Sequence, residues 1–259
     1  MARDNREAKP GEFTYKGDSG RTSIYVTSNG VDFLPQMVRP DNEFRENLEA
    51  LVVALDYDEI HLTGGEPTLH PDVAELVGIG SELGLKVGLT SNGEKGSGIL
   101  DASCEAGLDR INFSIFGTTA QELAMVQDDK YQDPAKAQEK IDALKASVET
   151  AKRLGLKASA NIVIPDYSHK ARVLRLLEEY PQDLNVRLLN SLDDHESMEA
   201  IYTILGELGA TPTKRKVIAG ASGARTAFDL ADGREVIFKQ PKNSSFVRVV
   251  RYDDIRTRL

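Results

Sequence analysis

The sequence predicts an α/β fold: an open parallel sheet of six strand-helix units followed by a small β-rich carboxyl-terminal extension. Three observations predict it. Short runs rich in Val, Ile, Leu or Phe recur at residues 23–27, 59–63, 86–90, 110–115, 157–164 and 184–189, each short and apolar enough for a buried parallel strand. Segments with apolar residues at helical spacing lie between them. Several of these stop at a Leu-Gly pair, at Leu83-Gly84, Leu154-Gly155 and Leu208-Gly209, where a glycine at positive φ ends a helix before the next strand.

Taken in order, residues 1–20 are polar, contain Pro10, Gly11, Gly17 and Gly20, and read as an amino-terminal arm or loosely docked extension. Ile24-Tyr25-Val26-Thr27 reads as the first strand. Residues 42–55 place Phe44, Leu48, Leu51, Val52 and Leu55 on one helical face, and residues 72–83, 134–154, 169–180 and 195–208 repeat similar spacing. Asp193, Asp194 and Glu196 around His195 suit a helix start, where carboxylates favour the helix dipole. After Pro212 the runs shorten to 214–218, 225–230, 235–239 and 246–250, with Asp232-Gly233 as a hairpin signal. The chain therefore divides into an arm (1–20), a barrel-like body (21–209) and a β-rich extension (210–259).

Composition excludes several classes of function. With 259 residues, 40% hydrophobic and 28% charged, the chain is long enough to bury a substantial core and has an ordinary soluble make-up. A formal net charge of -9 argues against nucleic acid or an anionic membrane as main partner, because phosphate backbones are held by basic surfaces. No apolar run approaches the roughly 20 residues that span a bilayer, and the first residues lack a signal-peptide core, so a cytoplasmic location is expected. A single cysteine, Cys104, leaves no internal disulfide and no Cys-rich zinc site; no metal site is expected.

Strand-helix units in succession have right-handed crossovers and curl into an open barrel, with ligands at the carboxyl ends of the strands. The turn Gly64-Gly65-Glu66-Pro67, the turn Ser91-Asn92-Gly93, Ser114 and the loop after Thr27 all fall at such ends. Periodicity alone thus gathers them on one rim.

These residues carry a resemblance. Gly64-Gly65-Glu66-Pro67, Thr90-Ser91-Asn92-Gly93, the run from Gly107 to Ser114, Asn161-Ile162-Val163, Gly220-Ala221-Ser222-Gly223 and Asp232-Gly233-Arg234-Glu235 resemble, in order and spacing, the radical S-adenosylmethionine (SAM) superfamily, nearest to its GTP 3',8-cyclase branch, from residue 23 to about 240. The resemblance implies a (β/α)6 partial TIM barrel that binds SAM. It implies that Gly64, Gly65 and Glu66 receive the SAM amino group with Pro67 shaping the turn, that Ser91, Asn92 and Ser114 lie near its ribose and carboxylate, and that Asn161 and Ile162 meet its adenine. Exposed carbonyls and a carboxylate do suit an ammonium ion. Polar residues finishing a strand are the alternative for Ser114 and Asn161.

The family also carries a Cys-x3-Cys-x2-Cys loop for a [4Fe-4S] cluster. Matching its Val-Thr to Val26-Thr27 puts Gly30, Leu34 and Met37 on the cysteine positions. None supplies the thiolate that such a cluster needs, and the second, carboxyl-terminal cysteine set of the cyclase is missing too. No iron–sulfur cluster is expected, and GTP cyclisation by the family mechanism is not.

Cys104, at a small-residue helix end (residues 101–107) with no histidine nearby in sequence, reads as a packing cysteine. His61 reads as structural and His70 as a rim candidate. Lys214, Arg215, Lys216, Arg225, Arg234 and Lys239 are the one basic concentration, suited to a phosphate or carboxylate or to a solvated face. The expected function is SAM binding with non-radical chemistry, a group transfer or SAM rearrangement on a small, anionic or nucleotide-like substrate, with Glu66, His70 and Asp32 as candidate bases. The alternative is a catalytically inactive binding or regulatory partner, its vacated loop closed by Leu34 and Met37.

Overall fold

In a computed structural model of the chain, residues 3–4, 12–16, 22–26, 38–55, 58–63, 66–126, 129–191, 194–217 and 223–241 are described. The first predicted strand forms but joins a different sheet. Strands β1 (Arg3–Asp4), β2 (Glu12–Lys16) and β3 (Thr22–Val26) make a three-stranded antiparallel sheet in the order β1-β3-β2. Thr14 of β2 opposes Ile24 of β3. This local pairing needs only a short connection, whereas a parallel pairing of β3 with the next strand requires a crossover that closes a longer loop. Part of the predicted arm is therefore strand.

The remaining predicted strands pair side by side in sequence order. β4 (Glu59–Leu62), β5 (Lys86–Ser91), β6 (Leu108–Ser114), β7 (Lys157–Ile164) and β8 (Asn185–Asn190) are all parallel. The carboxyl-terminal region adds β9 (Thr211–Val217), β10 (Gly223–Asp229) and β11 (Glu235–Pro241) to the same sheet, in the order β4-β5-β6-β7-β8-β11-β10-β9. β11 runs parallel to β8, with Ile237 opposite Arg187 and Lys239 opposite Leu189. A sixth parallel strand is thus supplied from the far end of the sequence, beside β8, while β4, where the first strand was expected to pair, stays an edge and the sheet stays open. The predicted strand at 246–250 lies outside the described residues.

Helices α1 (Asn42–Leu55), α2 (Val73–Glu82), α3 (Gly96–Glu105), α4 (Ala120–Val126), α5 (Pro134–Arg153), α6 (Lys170–Glu179) and α7 (His195–Glu207) connect the strands. Their ends carry the expected chemistry. Asp133 caps α5 by accepting from the Ala135 N–H at 3.0 Å, with Pro134 in the first turn; Asp194 caps α7 through the N–H groups of Glu196 and Ser197. Gly84, Gly155 and Gly209 follow α2, α5 and α7 at φ 78°, 69° and 63°, the left-handed conformation that turns the chain back to the sheet. Of α3 the sequence announced only the carboxyl end around Cys104, because the helix opens on Gly96-Ser97-Gly98, poor helix formers; α4, with 7 residues, it did not announce.

One face of the sheet takes the helices. Leu89, Phe113, Ile162, Leu188 and Phe238 are at most 1% exposed and pack with Val77 of α2, Leu100 of α3, Val148 of α5, Leu176 of α6 and Ile204 of α7 in one core. Each large side chain buried there contributes about 1.5–3 kcal/mol. With this side covered, the alternate residues of every strand are left on the other, inner face. Among the described residues no helix is long and apolar enough to cross a membrane.

Candidate functional site

At the carboxyl ends of β4 and β5 the motif residues close on one another. Glu66 is extended (φ -140°, ψ 105°) and caps the short 3-10 helix Pro67–Leu69. Its Oε1 accepts from the Thr68 N–H at 3.1 Å, the Thr68 hydroxyl at 2.6 Å and the Ser91 hydroxyl at 2.8 Å; its Oε2 accepts from the Asn92 N–H at 2.6 Å. Ser91, 1% exposed, also accepts from the Gly93 N–H, and the Asn92 side chain bonds to Glu94. Four donors on one carboxylate occupy most of its lone pairs. Glu66 is placed to hold the two strand ends in register, and as a general base it lacks a free oxygen.

His70 is engaged at both ring nitrogens. Val38 O can only accept, so the 2.7 Å contact makes Nε2 the protonated nitrogen; Nδ1 then accepts the Asp72 N–H at 3.1 Å. The ring pins the end of the β4–α2 connection, three residues before α2, to Val38, four residues before α1. It is a clasp, with no lone pair left for proton abstraction.

The inner face carries the network that sequence reasoning missed. Thr90 Oγ1 lies 2.6 Å and Asn112 Nδ2 3.3 Å from His61 Nε2. Asn112 Oδ1 accepts from Ser159 Oγ at 2.6 Å and from the Arg187 guanidinium at 2.8 Å. With its oxygen so occupied, Asn112 donates to His61, which fixes the imidazole as neutral with Nδ1 protonated. Burial, then the nearby Arg110, pushes the His61 pKa down from 6.5 to about 4. Arg110 forms a two-pronged ion pair with Glu59, with one contact at 2.6 Å. Gly88 permits this packing: a Cβ there would lie 2.3 Å from His61 Nδ1 and 2.9 Å from Arg110 Nε.

Nearer the rim, Ser114 opposes Asn161, and Asn161 opposes Arg187, across three adjacent strands. Asn161 Oδ1 is buried without a hydrogen-bond partner. An orphaned acceptor beside a serine hydroxyl suits a ligand amino group. Ile162 is different: its side chain lies in the helix-side core at 1% exposure, because strand alternation sends it away from Asn161. Gly64, Gly65 and Asp32, and the cluster-loop positions Gly30, Leu34 and Met37, lie outside the described residues.

Cys104 is on α3, half-buried, with Sγ 4.0 Å from Leu154 O. It sits at the carboxyl end of a helix that leads back to the amino end of β6, so it is across the sheet from the rim. The residues present do not fit the family's [4Fe-4S] cluster, whose ligands are thiolates. Among the described residues no group of three or more His, Cys, Asp or Glu side chains is placed to hold a metal ion.

A sheet with helices on one face, motifs on its carboxyl rim and a polar inner face is the architecture of an open α/β barrel. The description of the radical SAM superfamily matches residues 24–179, more than half of the chain, and the chain belongs to that superfamily. Membership supports SAM binding at that level of detail. The chain is 32% identical over 154 residues to a GTP 3',8-cyclase of Chlorobaculum tepidum, covering 58% of this chain and 44% of that protein. It is 34% identical over 164 residues to a PqqA peptide cyclase of a Methylobacterium species, covering 62% and 39%. The chain spans less than half the length of these curated relatives. Among solved structures, Streptococcus suis SuiB bound to S-adenosylmethionine matches at TM-score 0.49 and 13% identity, covering 68% of this chain and 43% of SuiB.

Proposed function

We propose that the chain binds SAM at the carboxyl rim of its sheet and uses it in non-radical chemistry on a small-molecule or peptide substrate. The observation that supports non-radical chemistry is the cysteine inventory: one thiol in 259 residues, carried by α3 away from the rim, against three needed at one loop. SAM's sulfonium is electrophilic without iron. A substrate nucleophile held in line with one of the three carbons on sulfur attacks that carbon, and the thioether leaves with the bonding pair; holding the two in place supplies much of the rate. This covers methyl or aminocarboxypropyl transfer and intramolecular rearrangement.

In this reading Gly64 and Gly65 receive the amino group, Glu66, Pro67, Ser91 and Asn92 frame that turn, and Ser114 and Asn161 face the ligand. Asp32 is the base candidate that remains, since Glu66 and His70 are spent on structural hydrogen bonds. Calorimetric titration of SAM into aerobically purified, metal-free protein is the test. Saturable binding that weakens in Asn161→Ala is the expected result, followed by methyl or aminocarboxypropyl products, and not 5'-deoxyadenosine, in the mass spectrum. Absence of heat at millimolar SAM overturns SAM binding.

A second reading, an inactive binding or regulatory partner, has one observation in its favour. Glu66, Ser91, Asn92 and His70 bond to one another or to the backbone, leaving few free groups at the ends of β4 and β5 among the described residues. SAM binding without turnover under any substrate or reductant would favour it.

A further inference from the structure

Arg187, Arg225 and Lys239 share the inner face although they come from three strands, two of them in the carboxyl-terminal hairpin. Arg225 of β10 is the direct cross-strand partner of Lys239 on β11. Arg187 of β8 opposes Ile237, so Lys239 stands one step further toward the rim on the same face. Directly opposed cations in a sheet repel each other. A pair of this kind, held with nothing between, is a cost the fold would shed unless something else occupied the space.

Nothing in the described chain neutralises them. Arg225 and Lys239 have no ion-pair or hydrogen-bond partner among the described residues. Arg187 reaches only the neutral Asn112 Oδ1, and its Nε is buried and unpartnered. The carboxylate on this face, Glu59, is already taken by Arg110, while Asp229 and Glu235 oppose each other at the far end of the hairpin. Burial together with Arg225 and Arg110 brings the Arg187 pKa down to about 10, and burial together with Arg225, Arg187 and Arg110 lowers that of Lys239. Each group therefore gains by an anion placed among them.

We propose that Arg187, Arg225 and Lys239 form an anion-binding subsite on the inner face, which takes a phosphate or carboxylate group of the substrate. Asn112 orients Arg187 with one guanidinium N–H, leaving the others directed at the ligand, and Lys239 provides a compact charge beside it. Arg187 lies directly across from Asn161, so an anionic tail held there would point the rest of the substrate toward the rim. It rests on the reading of the inner face as the substrate chamber and is independent of SAM.

The test is calorimetric titration of the full chain with inorganic pyrophosphate and, separately, with malonate, in a non-coordinating buffer without phosphate. Saturable binding of either probe is expected, and the one bound tells phosphate from carboxylate. Arg225→Gln with Lys239→Gln should weaken it by about tenfold or more, as for loss of two charge-assisted contacts, while Lys152→Gln, on the helix side, changes it less than about twofold by loss of distant charge alone. Without anion the double variant should unfold at the same or higher urea concentration than the parent, because a repulsion has been removed. If the double variant fails to fold, Arg225→Gln alone, at an exposed side chain, should still weaken binding by about threefold or more. Unchanged affinity, equal weakening by Lys152→Gln, or no binding of either probe overturns the proposal. SAM titrated into the same variants should bind as in the parent, so a failure here leaves the SAM reading standing.

Discussion

Ser91, the last residue of β5, donates its hydroxyl to the Glu66 carboxylate at 2.8 Å across 25 residues of sequence. Through this bond and the Asn92 N–H at 2.6 Å, the turn after β4 is fastened to the end of β5. The two most recognisable motifs of the chain are therefore one structural unit.

Glu66→Gln should destabilise the fold by about 2–3 kcal/mol, since it removes a charged acceptor and turns an amide donor toward one of four donors. Urea unfolding measures it. A double-mutant cycle with Ser91→Ala should show coupling of about 1 kcal/mol or more; additivity within 0.5 kcal/mol, the usual scatter for independent sites, would break the link.

His61 carries a pH dependence of definite sign. Its folded-state pKa, about 4, lies below the ordinary 6.5, so the unfolded chain takes up a proton first as pH falls. The stability it contributes is full above about 6.5 and is lost between 6.5 and 4, on the order of 2 kcal/mol after allowing for partial exposure. His169, also lowered by burial and by Arg172, acts in the same direction, so the readout is the difference between parent and His61→Gln. NMR titration of the His61 ring with a midpoint near 6.5 would contradict this.

Gly88→Ala should cost about 2 kcal/mol or more, as over-packing does, because its Cβ would meet His61 Nδ1 at 2.3 Å. Combining it with His61→Ala should recover part of the loss. Strict additivity of the two changes in thermal unfolding would show that the contact is not the cause.

His70→Ala should cost about 1–3 kcal/mol, for the two hydrogen bonds of a half-buried ring, and speed amide exchange at residues 66–73. If exchange there is unchanged, the clasp to Val38 is not what holds the connection. SAM affinity is expected to persist in this variant, which separates a clasp from a ligand contact.

The strands from residue 59 onward and the long helices were legible because their patterns are local: apolar runs of strand length, and Leu-Gly helix stops. The inner-face site was present in the same runs but under another rhythm. Arg110, Asn112 and Ser114 alternate with Ile111 and Phe113, and Ser159 and Asn161 alternate with Ala160 and Ile162. That period of two marks a parallel sheet with one polar face, and it could have separated Ile162 from Asn161. The short helix α4 gave too little periodicity to register, and the glycines at the start of α3 left only its carboxyl end readable.

Sequence by itself determined the class of fold, the superfamily motifs and the shortage of thiolates, because each depends on residue types at short spacing. Only the tertiary structure decided that the strand at residues 22–26 pairs locally, that β11 docks parallel to β8, and that Glu66 and His70 spend their polar atoms on the scaffold. These depend on which distant groups meet. A carboxylate in a motif is a base or a clasp according to whether donors from elsewhere reach it, and Arg187, Arg225 and Lys239 become one charged site only when strand register lays residues 38 and 14 apart in sequence on one face.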